Sequence, residues 1–199
     1  MEAVMNKLSR EDLFGLEEYA SKRSEYRAQV MAHKKHRKVH LGEHITLYFE
    51  DRMTMQYQIQ EMLRAERIFE AEGIQEELDT YNPLIPDGCN WKATMMVEYS
   101  DEEERKQALA RLIGVERKTW VQVGEHDKVY PIADEDLERE TEEKTSAVHF
   151  LRFELTVEMI TSLHSGAGIR MGVEHDNYQA EMLVSSDSRA SLLADLQVQ

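Results

Sequence analysis

Cysteine occurs once in the 199 residues, as Cys89. A single thiol excludes a disulfide framework and a thiolate zinc site, and nothing in the chain requires an oxidising compartment. No apolar run approaches the roughly 20 residues that span a bilayer. The first residues, MEAVMNKLSREDLF, have neither the basic start nor the apolar stretch of a secretory signal. A cytoplasmic location without membrane contact is the expectation. Basic residues are also scarce: 24 Lys and Arg stand against 39 Asp and Glu, a net charge of −15. General nucleic-acid binding needs the opposite excess, to neutralise phosphates, so that class is set aside.

Several motifs are missing as well. HExxH and the P-loop are absent, and no His has a Glu three residues before it, as ferritin-like diiron helices require. GAGIRMG has the wrong spacing for a dinucleotide loop and follows a helix pattern rather than a strand. Cys89 lies in PDGCNW, a turn context with no neighbouring His, and reads as a structural thiol rather than a nucleophile.

The length suits one domain, residues 1–199. Ser9 with Asp12 predicts a capped helix from Arg10 to about Ala20, and Ser24 predicts a second, from Glu25 to Lys35. RKVHL and HITLYFE flank Gly42 as a hairpin. The longest helix is expected from Asp51 to Glu72, ended by Gly73, and is followed by a helix over IQEELDTY. WKATMMVEY reads as a strand, and Ser100 with Glu103 opens a helix over DEEERKQALARLIG. KTWVQV and KVYPI form a hairpin whose second strand, carrying Pro131, suits a sheet edge. AVHFLRFEL is a strand, TVEMITSLHSG a helix, and IRMGV with YQAEMLV a hairpin before a C-terminal helix from about Asp187. Residues 134–144, with seven acids and two bases, read as a solvated acidic helix or loop. This order predicts an α+β fold, a mostly antiparallel sheet of hairpins packed with helices around one long central helix.

Against the acidic background one stretch is basic. Between Lys22 and His40 seven bases face only Glu25. Lys34, Lys35, Arg37 and Lys38 complement the negative end of a helix and form a candidate docking patch for an acidic surface. His33 and His36, one turn apart, are weak metal candidates. The Glu-His pairs at His44, His126 and His175 fall at turns and read as exposed loop tips.

Polar residues at core-like positions form a second candidate set. Met55, Ile59, Met62 and Phe69 make one helical stripe with Glu66 near its middle, and Met53, Tyr57, Ile68 and Ala71 make an opposing one around Arg64. His149 shares a strand face with Ala147, Leu151, Phe153 and Leu155, while Arg152 and Glu154 lie on the other. Glu50, Arg64, Glu66, His149 and Arg152 therefore make either a satisfied buried polar network or a pocket that handles protons or holds a transition metal, with Glu66 and His149 as ligand candidates.

The runs from LYFEDRM to LIPDG, NWKATMMVEY and ADEDLERETEEKTSAVHFLRFEL resemble the uncharacterised bacterial family DUF3501, from about Leu8 to the C-terminal helix (8–197). That resemblance transfers no catalytic residue. It implies an accessory role in peroxide defence or redox metabolism, alongside rubrerythrin-like and iron–sulfur oxidoreductase-like proteins. Two functional classes follow: an accessory or binding protein that docks on a redox partner through its basic region, or a metal-dependent enzyme with a site of Glu50, Glu66 and His149.

Overall fold

The computed structural model describes residues 7–197. In chain order its elements are α1 (Leu16–Lys35), β1 (Lys38–Leu41), β2 (Ile45–Glu50), α2 (Arg52–Glu66), α3 (Ala71–Tyr81), β3 (Asn90–Val97) and α4 (Glu102–Arg111). Then come β4 (Thr119–Val123), β5 (Ile132–Ala133), β6 (Val148–Glu154), α5 (Val157–His164), β7 (Ile169–His175), β8 (Tyr178–Leu183) and α6 (Ser186–Leu193). Two antiparallel sheets result, one in the order β1-β2-β3-β6-β5 and a smaller one in the order β4-β7-β8. The class is α+β, built of hairpins and helices as the pattern of elements predicts.

Alternation along the large sheet sets its two faces. Leu47, Met95 and His149 sit in register on the inner face, and Tyr48, Thr94 and Phe150 on the outer one. The inner face joins Val121, Val123, Ile169, Met171 and Val173 of the small sheet, Ala108 and Leu109 of α4, and Met159, Ile160 and Leu163 of α5 in one apolar cluster. A second cluster, of Met55, Ile59 and Leu63 from α2 with Leu78, Ile85 and Leu8, lies under the α2–α3 pair.

Several boundaries differ from expectation. The Ser9–Asp12 capping box exists, but on a single 3-10 turn, Arg10–Asp12. The two short helices expected next are one helix, α1, which is the longest. Ser24 does not interrupt it, because a serine supplies no break of its own and no Pro or Gly lies within the span. The expected helix over Asp51–Glu72 is divided instead. α2 ends at Glu66, Arg67 turns left-handed at φ 55°, and α3 starts at Ala71. Gly73 is thus inside α3, where a Cβ would stand 2.7 Å from Ile68 Cγ2; glycine is needed there for a close approach, not as a helix stop. The capping residue of α4 is Asp101, which accepts from the Glu104 amide, rather than Ser100. KVYPI gives only a bridge, Val121 to Val129, and then the short edge strand β5, which pairs with β6.

Candidate functional site

The basic corner where α1 meets β1 is divided by burial. Arg37, expected on a docking patch, is turned inward and only 2% exposed. Its Nε donates to Phe49 O at 3.0 Å, one Nη to Glu50 O at 3.1 Å, and the other to Ser191 O at 3.1 Å. It also pairs with Asp195 at 2.5 Å and with Asp51 at 3.3 Å. A planar fork with five donors can satisfy that many acceptors at once, which lysine cannot. Asp51 caps α2 through Oδ1, on the Thr54 amide, while Oδ2 meets His33 Nε2 at 2.5 Å. Burial pushes the Asp195 carboxyl up to about 6, against the downward pull of Arg37. Arg37 and His33 therefore tie α1, β2, α2 and the end of α6 together. Lys34, Lys35 and Lys38 remain outside this network, with no carboxylate partner among the described residues. Lys38 Nζ lies 5.5 Å from the centre of the Tyr48 ring, and His36 is exposed.

The polar set expected in the core is not one site. Glu50 is buried on the outer face, where Thr54 Oγ1 at 2.6 Å and Thr94 Oγ1 at 2.9 Å occupy its carboxylate. His149 is fully buried on the inner face. Arg64 and Glu66 are exposed, which corrects their placement at the middle of the two apolar stripes of α2. The buried positions of α2 are Met55, Ile59 and Leu63, at a spacing of four, with Thr54, Tyr57 and Gln60; Phe69, whose apolarity places Glu66 within a stripe in the sequence, lies beyond the break at Arg67 and is 58% exposed. Arg152 is half-buried and held by Glu135, at 2.7 and 2.8 Å, and by Glu154. Among the described residues no group of three or more His, Cys, Asp or Glu side chains could hold a metal ion. His33 and His149, the ligand candidates with resolved partners, are each bonded to a carboxylate from another element.

His149 instead anchors the acidic segment. Asp134, with φ 51°, places Oδ2 2.6 Å from His149 Nδ1 and accepts the Phe150 amide on Oδ1. Thr145 Oγ1 is 2.9 Å from His149 Nε2. Asp, His and a hydroxyl in that order resemble a nucleophile relay, but Thr145 is 2% exposed and His149 is fully enclosed, so no substrate atom reaches them. Arg117 continues the knot by bridging Glu116, at 2.9 Å, and Glu140, at 2.6 Å. Residues 134–144, expected as a solvated acidic helix or loop, are therefore held down at two half-buried carboxylates, Asp134 and Glu140. No local pattern in the sequence signals this, because the partners come from β6 and from the turn before β4.

The turn histidines are also tied rather than free. His126 Nε2 stands 2.8 Å from Ser162 Oγ, and His175 Nε2 is 3.0 Å from Ile113 O; both are half-buried. His44 stacks on Tyr99 with centroids 3.8 Å apart. These contacts correct the loop-tip expectation, since each ring joins its turn to a different element.

No curated protein matches the chain. It is similar to a crystal structure of a novel protein of unknown function from Burkholderia pseudomallei K96243, at 50% identity and a TM-score of 0.91, over 96% of this chain and 100% of that one. The family model described as "Protein of unknown function (DUF3501)" matches residues 7–196, and with that match the chain belongs to the DUF3501 family.

Proposed function

We propose that this protein is a cytoplasmic accessory or binding protein that docks on an acidic protein partner through the corner formed by Lys34, Lys35 and Lys38. The observation that carries this reading is their lack of carboxylate partners among the described residues, in a chain with 39 acidic residues. Unpaired surface charges contribute little to folding, whereas they raise association rates and exclude partners of the wrong sign. For the partner we take the class that the sequence resemblance implies, a rubrerythrin-like or iron–sulfur oxidoreductase-like protein, and with it propose a role in peroxide defence or redox metabolism. The alternative of a metal-dependent enzyme has less support, because Glu50, Glu66 and His149 are directed to different surroundings.

The test is surface plasmon resonance against a rubrerythrin-like protein and an iron–sulfur oxidoreductase-like protein encoded in the same genome. Wild type should bind one of them with an affinity that falls between about 10 mM and about 150 mM salt, as the Debye length shortens from about 30 Å to about 8 Å. The triple reversal Lys34→Glu, Lys35→Glu, Lys38→Glu should weaken it at least about tenfold. Binding that ignores both salt and the reversal would overturn the proposal.

A further inference from the structure

Farther toward the start of α1, three arginines line one open groove of about 430 Å³ between α1 and α2. Arg23 and Arg27 are one turn apart on α1, Ser24 lies between them, and Arg64 comes from α2; Ala20 and Ala28 leave the space open. No acidic residue lines it. Like charges four residues apart on a helix repel, so a pair kept there needs compensation.

Among the described residues only one of the three holds a carboxylate directly. Arg23 grips Glu61 with both arms of its fork, at 2.7 and 2.8 Å, and the Tyr19 hydroxyl donates to the same carboxylate at 2.6 Å. Those donors, Arg23 first, hold Glu61 down to about 2, and the nearby Arg64 charge adds to the same pull, so it remains an anion held directly by Arg23. Among the described residues Arg27 reaches the Tyr57 hydroxyl, at 3.3 Å, and no carboxylate. Arg64 has no hydrogen bond or ion pair from its side chain among the described residues. Three guanidiniums against one carboxylate therefore leave an excess of positive charge along an open groove.

We propose that this groove binds the phosphate group of a small phosphomonoester. A phosphomonoester carries about −1.5 to −2 charge at neutral pH, which matches the excess of the three guanidiniums over the one carboxylate, Glu61, that faces them. Two guanidinium forks and the Ser24 hydroxyl supply donors in the geometry that phosphate oxygens accept. Arg23, already fixed by Glu61 and Tyr19, forms a rigid wall of the groove. The site uses none of the lysines of the docking corner, so it stands or falls separately from the proposed function.

Isothermal titration calorimetry with phenyl phosphate and inorganic phosphate, at constant ionic strength, tests this directly, with benzoate as the carboxylate control. Wild type should bind phenyl phosphate at one saturable site and benzoate at least about tenfold more weakly. The exposed pair Arg27→Ala, Arg64→Ala should lose that binding at least tenfold, and the triple lysine reversal should leave it unchanged. If the alanine pair fails to fold, Arg27→Lys with Arg64→Lys keeps the charge and removes the forks, and should also weaken binding. No saturable phosphate binding by wild type, equal affinity for benzoate, or binding undiminished by the arginine variants would each overturn the proposal.

Discussion

Two sets of basic residues on and just after α1 have opposite fates. Arg37 and His33 point into the protein and meet Asp51 and Asp195, whereas Arg27, Lys34 and Lys35 have no carboxylate partner among the described residues. A count of charges along 22–40 treats them alike. Burial separates them: a guanidinium that leaves water must be met by acceptors on every side, and Arg37 is, while an ammonium that stays in water is free to meet a partner. The inward set contributes to the fold and the outward set to recognition.

The largest effect should come from the inward set. Arg37→Ala leaves Asp51 and Asp195 without their guanidinium and four oxygen acceptors short of a donor; a loss of about 3–5 kcal/mol is expected, read from urea midpoints. Near-wild-type stability would mean that Arg37 belongs with the outward lysines after all.

Asp195 sharpens the same comparison through pH. Its folded carboxyl titrates near 6 against an ordinary 3.8, because burial outweighs the attraction of Arg37. Between about pH 4 and pH 6 the folded state therefore holds a proton that the unfolded state has released, and stability falls as pH rises through that window. The contribution is on the order of 1–3 kcal/mol. Wild type should lose stability relative to Asp195→Asn as pH rises from about 4 to about 7, and a pH-independent difference between the two would contradict it.

The smallest effect belongs to an exposed charge outside both sets. Glu66→Gln should change stability by less than about 0.5 kcal/mol, since the carboxylate is in water at the end of α2. A loss several times larger in thermal melts would restore a buried role for Glu66.

What the sequence discloses depends on how local each cause is. The hairpin at Gly42 and the one between β7 and β8 are visible because alternation and turn residues lie side by side. The burial of His149 is legible from its strand face, which alternates cleanly. The break at Arg67 is not, because no Gly or Pro marks it, and so the sequence stripe runs on through Glu66 and Phe69. Arg37 resembles its lysine neighbours in sequence, and the residue that draws it inward, Asp195, is 158 positions away. The same distance between cause and effect hides the role of residues 134–144, whose acidic composition suggests water while Asp134 and Glu140 are held by His149 and Arg117.

The division of basic residues into inward and outward sets is tested most directly by one paired measurement, melting midpoint and affinity for the acidic partner on the same two variants. Arg37→Ala should melt well below wild type yet bind the partner normally at a temperature where it is folded. The triple reversal Lys34→Glu, Lys35→Glu, Lys38→Glu should melt with wild type yet bind at least about tenfold more weakly. The reverse pattern, with Arg37→Ala failing in binding while still stable and the lysine reversal failing in stability, would contradict the account.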